Sequence, residues 1–208
     1  MQADQRPTLL RRYAFDAVNR RLIPTRAVLS VAALVSTAAI SACSWFETEV
    51  PPPCPRVSVL SDAARLTRFA EGAGRDLTDV TYEAEITNVF SSCEHLVDDD
   101  TGRTVVVIAV APVVSAARGP ANRDHQARFD YFVTVVGADN TILNKEAFGL
   151  AVQFPGNRTR VRFRDDDPPV MVDLPLSGEV SVRDYRLFVG FQLTPDELSY
   201  NRRRGATR

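Results

Sequence analysis

Stretches in which apolar and polar residues alternate place the strongest constraint on the fold of this 208-residue chain. From Val80 to Thr87 every second residue is apolar, as in a strand that buries one face and wets the other. Similar alternation recurs in segments 129–135, 159–163 and 185–193. Residues 105–114 instead form a nearly continuous apolar run rich in β-branched residues, which predicts a central strand buried on both faces.

Turn residues divide the rest of this region into further strands. Gly137 to Asn140 predicts a hairpin turn that leads into a strand over 141–154, and 170–174 forms a short strand. Segment 57–69 is consistent with two strands around a turn at Ser61-Asp62. The resulting seven or eight strands predict an all-β domain over 56–193, a two-sheet immunoglobulin-like sandwich, with a small β-barrel as the alternative.

The C-terminal segment 194–208 carries the only helical pattern outside the leader. Thr194 supplies an N-cap, Pro195 the first helical position and Glu197 the acid of a capping box, so a short helix is predicted through about Arg203. A basic tail ends the chain, with arginines at 202, 203, 204 and 208. Placement at a helix C-terminus or a disordered tail explains these charges without a partner.

Residues 1–42 have the zones of an export leader. Arginines precede an apolar run from Ala27 to Ile40, whose roughly 14 residues fall short of the roughly 20 that a membrane-spanning helix needs. The run ends in Ile40-Ser41-Ala42-Cys43, which resembles the lipobox of bacterial lipoprotein precursors. The alternative is a buried or interfacial helix followed by an ordinary cysteine.

The lipobox resemblance implies an address for the protein. Cys43 would become the first mature residue and carry several acyl chains, which anchor a protein stably where a single chain binds only marginally. Ser44 follows the cysteine, and in the Gram-negative sorting rule a residue other than aspartate there implies the periplasmic face of the outer membrane. Together with the strand pattern, the chain resembles cell-envelope lipoproteins that have an immunoglobulin-like domain.

The charge balance of the mature part excludes one class of partner. Residues 1–42 hold six of the 25 basic and two of the 26 acidic residues, so the remaining 166 residues carry a net charge near −5. Nucleic-acid binding depends on cation-rich surfaces, so no nucleic-acid partner is expected. The expected partners are the membrane, through the lipid, and an envelope protein or an anionic lipid or polysaccharide.

Once Cys43 is assigned to lipid, Cys54 and Cys93 remain. The periplasm is oxidising enough for them to form a disulfide, although two free buried thiols or a metal pair aided by His95 are alternatives. Between the anchor and the body, residues 43–55 end in a proline-rich run. Consecutive prolines favour an extended polyproline conformation, so this segment is predicted to be a semi-rigid tether.

Few residues suggest catalysis or metal binding, and no cofactor is expected. His95 and His125 are the only histidines and lie in polar, loop-like contexts, with no serine in a nucleophile-elbow motif. The acidic runs 98–100 and 165–167 could offer oxygen ligands to calcium, yet neither has the spacing of an EF-hand loop, and solvated loops explain both. No catalytic or metal-binding residue is therefore predicted.

Four arginines form the most suggestive surface feature. Arg158, Arg160, Arg162 and Arg164 alternate with apolar residues, which predicts that all four lie on one face of one strand. Such a row could bind an anionic partner. The alternative is that the charges guard an exposed strand against edge pairing.

Three functions from different classes fit this sequence. We expect a noncatalytic, membrane-anchored envelope lipoprotein that acts as an interaction module in outer-membrane assembly, stability or trafficking. The second is a lipoprotein that binds a small or amphipathic ligand between the sheets, in a cavity lined by residues such as Phe129, Tyr131, Phe188 and Phe191. The third is a hydrolase that uses His95 or His125.

Overall fold

A computed structural model of the chain describes the backbone of residues 10–12 and residues 53–72, 74–97, 102–176 and 181–205. All of these belong to one compact unit. The predicted leader apart from residues 10–12, the lipobox Ile40-Ser41-Ala42-Cys43, tether residues 43–52, the acidic run 98–100 and tail residues 206–208 lie outside the described residues.

The described residues form ten strands, two short 3-10 turns and one helix. The strands are β1 (Leu10–Arg12), β2 (Arg56–Val59), β3 (Arg65–Phe69), β4 (Val80–Val97), β5 (Thr104–Arg118), β6 (Gln126–Val136), β7 (Ile142–Gln153), β8 (Arg160–Arg164), β9 (Val170–Pro175) and β10 (Arg186–Phe191). The 3-10 turns are Ser61–Ala63 and Val182–Asp184, and the helix is α1 (Pro195–Gly205).

The strands make two sheets, which confirms the predicted all-β sandwich with a short C-terminal helix. A six-stranded sheet has the order β1-β9-β5-β4-β3, with β8 also paired to β5, and a four-stranded sheet has the order β2-β10-β6-β7. Among the described strands, only β2 and β10 pair in parallel. Strands β3, β4 and β5 are consecutive neighbours in one sheet.

Apolar side chains from the inner faces of both sheets form one core. Its largest fully buried members include Tyr131, Phe191, Leu66 and Ile108, each at most 1% exposed. Leu66 and Ile108 come from the six-stranded sheet, whereas Tyr131 and Phe191 come from the four-stranded sheet. The alternation in the sequence therefore places one apolar face of each sheet against the other, as the hydrophobic effect requires.

Strand β5 differs from its prediction on one face. Its inward residues Val106 and Val110 are fully buried, but Val105, Val107 and Ala109 on the outer face are half-exposed. The prediction of burial on both faces is wrong for this half of the strand. A sandwich covers only one face of each sheet, so a central position in the sheet does not bury the other face.

Strand β4 continues past the predicted alternating segment to Val97 and contains a bulge. The register with β5 shifts between Ile86 and Asn88, so Thr87 is an extra residue. One extra residue moves the following side chains to the opposite face. Val89 and Cys93 then pack against the core, whereas Phe90 is half-exposed on the outer face.

Two local predictions are confirmed at the ends of the domain. The predicted turn at Ser61-Asp62 is the 3-10 turn between β2 and β3. Helix α1 begins with the predicted capping box: the Thr194 N–H donates to Glu197 Oε2 at 2.8 Å, and the Glu197 N–H donates to Thr194 Oγ1 at 3.3 Å. These bonds satisfy backbone donors that a helix start leaves without intrahelical partners.

Candidate functional site

The arginines predicted to share one face lie at an open edge of the six-stranded sheet. Among the described residues, β8 pairs with β5 alone. Val161 and Phe163 pack against the core, and Arg160, Arg162 and Arg164, here named the arginine row, are exposed on the opposite face. The period of two along a strand produces this separation.

Arg158 corrects the prediction of four arginines on one strand. It precedes β8 in a turn, where its N–H donates to the Pro155 carbonyl at 3.2 Å. Gly156 in this turn has a φ of 58°, a left-handed conformation that glycine adopts without steric cost. Strand β8 begins only after this turn, so three arginines share its outer face.

Backbone hydrogen bonds give the arginine row a second property. Two bonds mark the ends of the β5–β8 ladder, from Arg118 N–H to Thr159 O at 2.8 Å and from Asp165 N–H to Pro112 O at 2.9 Å. Hydrogen-bonded and non-hydrogen-bonded pairs alternate along an antiparallel ladder. Val161 and Phe163 therefore direct their N–H and C=O groups to β5, whereas the arginine row directs its N–H and C=O groups to the open edge.

The three guanidiniums of the row differ in their contacts within the protein. Arg164 pairs with the Asp166 carboxylate, and its guanidinium lies 5.2 Å from the centre of the Phe90 ring. Arg160 and Arg162 make no ion pair within the described part of the chain. The guanidiniums of Arg160 and Arg162 are thus available to an anion.

The nearest acidic groups on the same face already have cationic partners. Glu83 and Glu85 lie on β4, opposite Ala117 and Ser115 of β5, which in turn lie opposite Arg160 and Arg162. Glu85 accepts from Arg65 at 2.9 Å, and Glu83 accepts from Arg204 at 3.2 Å. Small side chains on β5 leave a groove of 240 Å³ between these carboxylates and Arg160.

The predicted disulfide between Cys54 and Cys93 is confirmed. It joins the segment before β2 to β4 across a sequence separation of 39 residues. In the chain-entropy treatment such a loop contributes about 4 kcal/mol to stability. The disulfide therefore ties the end of the predicted tether firmly to the six-stranded sheet.

The two histidines lie in different environments. His95 is half-buried on β4, not in a loop as expected, and its Nε2 lies 3.3 Å from the Pro53 carbonyl oxygen. The pairing of β4 with β5 continues through Val97, so His95 lies within the strand. His125 is exposed in a loop, as expected, with a φ of 56°. Neither imidazole is hydrogen-bonded to a hydroxyl or thiol within the described residues.

Asp165 has a structural role that the sequence did not reveal. Its Oδ2 accepts a 2.6 Å hydrogen bond from the hydroxyl of the fully buried Tyr131. This bond joins β6 to the end of β8, so the run 165–167 is more than a solvated loop. In the described part of the chain, no group of three or more His, Cys, Asp or Glu residues is arranged to hold a metal ion.

The aromatic residues expected to line a ligand cavity do not form one group. Phe129 and Phe191 meet edge to face at 5.2 Å within the core, and Tyr131 lies 5.5 Å from Phe148. Phe188 lies on the outer face of β10, with the Arg186 guanidinium 6.0 Å from its ring. Its position alternates with buried Leu187 and Val189, which is why it cannot face the interior.

A cleft of 410 Å³ between β3 and α1 was also missed by sequence reasoning. It is lined by Arg68, whose Nε lies 2.9 Å from the Glu197 carboxylate, and by Phe69 and Tyr200, whose rings meet at 5.2 Å. The charged and aromatic side chains that line the cleft thus contact each other across β3 and α1. These contacts fasten α1 to the six-stranded sheet.

Comparisons with known proteins add no relative. No protein-family model, curated protein or solved structure matches the chain. Of the described helical segments, none has the length and apolarity to cross a membrane.

Proposed function

We propose that the protein is a lipid-anchored lipoprotein of the bacterial cell envelope, held at the periplasmic face of the outer membrane. Its β-sandwich acts as a noncatalytic interaction module in outer-membrane assembly, stability or trafficking. The lipobox Ile40-Ser41-Ala42-Cys43 supports the anchor.

The observation that carries the proposal is how the three cysteines are paired. Cys54 and Cys93 pair with each other, which leaves Cys43 as the one cysteine of the sequence outside the disulfide. Disulfides persist in oxidising compartments such as the periplasm. The pairing therefore supports export, and the remaining cysteine is the one that follows small residues at the lipobox position.

The point of attachment supports a role at the membrane surface. Pro53, at the end of the tether, contacts His95 of β4, and the disulfide holds the next residue against the same strand. Pro53 lies ten positions after Cys43, and a polyproline-like chain extends about 3.1 Å per residue. The body would therefore stand within about 30 Å of the membrane, close enough to contact proteins embedded in it.

The experiment is metabolic labelling with palmitate in a Gram-negative host. We expect wild-type protein to incorporate label and Cys43→Ala to lose it. The matched control is the double variant Cys54→Ser with Cys93→Ser, which changes the other two cysteines and is expected to keep the label. Label retained by Cys43→Ala would contradict the proposed anchor.

A further inference from the structure

We propose that β8 accepts an extended segment of an acidic partner protein as an additional antiparallel strand. The segment carries acidic side chains at every second position, opposite the arginine row, and apolar side chains between them. This names the partner class of the interaction module and rests on the proposed function only in taking the partner to be an envelope protein.

The open edge of β8 provides the backbone part of the site. The arginine row directs its N–H and C=O groups away from β5, and the described chain places no strand beside them. A new strand would exchange hydrogen bonds with these same residues. In the full chain, β1 of the predicted leader adds to the adjoining edge of β9 in this way, from Leu10 opposite Val172 to Arg12 opposite Val170, and removal of the leader would leave that edge open as well.

The register of such a strand determines which side chains meet. Residues directly opposite each other in a hydrogen-bonded pair have Cα atoms about 5.5 Å apart and side chains on the same face. Partner residues opposite Arg160 and Arg162 would therefore present their side chains to exposed guanidiniums that make no ion pair with any described residue. Acidic residues at these positions complement them in charge.

The intervening positions require a different chemistry. They lie beside Val161 and Phe163, which are half-buried and pack against the core. Apolar side chains at these partner positions would extend the inner face of the sheet. The complete recognition pattern is thus acidic, apolar, acidic, apolar, acidic.

Two other occupants fit the edge less well. A second copy of β8 would place arginine opposite arginine, an arrangement that destabilises a sheet. A lipid or polysaccharide surface would use the guanidiniums but leave the outward backbone groups without strand partners.

The test is fluorescence anisotropy with the full chain purified in mild detergent and a synthetic peptide, Thr-Glu-Val-Glu-Val-Glu-Thr. We expect the peptide to bind, and Arg160→Gln with Arg162→Gln to weaken it about fivefold or more through lost cross-strand charge pairs. Arg123→Gln with Arg183→Gln, two exposed arginines elsewhere, is the matched control and should bind as wild type. A peptide of the same composition with adjacent glutamates should bind at least about fivefold more weakly.

A second comparison isolates the backbone. Arg162→Pro and Arg162→Gln both remove the guanidinium, but only proline also removes the N–H at the open edge. We expect the proline variant to bind about fivefold more weakly than the glutamine variant. Peptides N-methylated at glutamate or at valine give the same comparison on the wild-type chain, with binding lost only for methylated glutamates.

Four results would overturn the proposal. Equal binding by the two Arg162 variants, together with equal binding of the two methylated peptides, would show that the peptide does not pair with β8 as a strand. Equal binding of the adjacent-glutamate peptide would show that total charge, and not the alternation of side chains, determines binding. Binding of anionic phospholipid vesicles by the wild-type chain, with no binding of the peptide, would indicate a headgroup site. Absence of peptide binding, together with aggregation of the Arg160 and Arg162 variant, would show that the arginines instead protect the edge against pairing with other strands. None of these results depends on Cys43, so palmitate labelling tests the anchor separately.

Discussion

Strands β7 and β8 each have one edge with no described strand beside it, yet their charged residues are arranged differently. On β7, Lys145 lies 4.3 Å over the ring of Phe132, and Glu146 is half-buried on the face that also carries Phe148. On β8, three arginines share one exposed face. Both arrangements hinder pairing with an identical strand, because an inward charge or a repeated like charge opposes it. Only the arrangement on β8 also favours a strand of opposite charge.

The comparison depends first on which residues of β8 form hydrogen bonds with β5, here called the phase of the β5–β8 ladder. The prediction that tests this phase has the largest expected effect. Val161→Pro should lower the free energy of unfolding by about 3 kcal/mol, because proline removes an N–H directed to β5 and a side chain packed on the core. Arg162→Pro should cost less than about 1 kcal/mol, since its N–H faces the open edge. Urea unfolding measures both.

Equal destabilisation by the two prolines would contradict the assigned phase. The control is Arg162→Gln, which reports the loss of the side chain alone. The backbone groups of the arginine row would then not face an open edge, and β8 would not differ from β7 in its ability to accept a strand.

The next prediction concerns the contact that holds the end of β8. Tyr131→Phe should lower the free energy of unfolding by about 2 kcal/mol, because it removes a 2.6 Å hydrogen bond to the Asp165 carboxylate. Tyr82→Phe is the matched control, since the Tyr82 hydroxyl donates to the uncharged Arg128 carbonyl and should cost about 1 kcal/mol. Thermal and urea unfolding check both values, and a Tyr131 variant no weaker than the Tyr82 variant would show that the loop after β8 is not held by this bond.

The smallest effect is expected at the turn that leads into β7. Hydrogen bonds from the Thr141 hydroxyl and then from its N–H hold the pKa of Asp139 below its usual range. A lowered folded-state pKa contributes stability that is present above the unfolded pKa of about 3.9 and is lost as the pH falls through the folded pKa. Asp139→Asn should therefore show a shallower loss of stability in acid, measured by urea unfolding across that range.

An Asp139→Asn variant with the same acid dependence as wild type would contradict this role. The chain offers a control at Asp76, whose pKa is lowered by hydrogen bonds from the Thr78 hydroxyl and N–H. Asp76→Asn should reduce the acid dependence to a similar extent, because the same pair of donors holds both carboxylates.

Much of the fold could be predicted from the sequence, because its determinants are local. Alternation located the strands, Gly137 to Asn140 located the β6–β7 turn, and Thr194 with Glu197 located the start of α1. The disulfide followed once Cys43 was set aside. Each of these features depends on residues a few positions apart or on the number of cysteines.

Features that depend on tertiary pairing could not be predicted. The bulge at Thr87 interrupts the alternation, so the face that the second half of β4 buries could not be inferred from the first half. The partner of Asp165, Tyr131, is distant in sequence. The arginine row was found from its period, but the direction of its backbone groups depends on the ladder with β5, which sequence alone does not supply.

The central claim is that the arginine row forms backbone hydrogen bonds with an acidic strand, and residue-resolved amide hydrogen exchange by NMR tests it most directly. On adding the alternating glutamate–valine peptide, we expect exchange of the Arg160, Arg162 and Arg164 amides to slow, while the amides of β7 keep their rates. Peptide binding that leaves the three arginine amides exchanging as before would contradict the account.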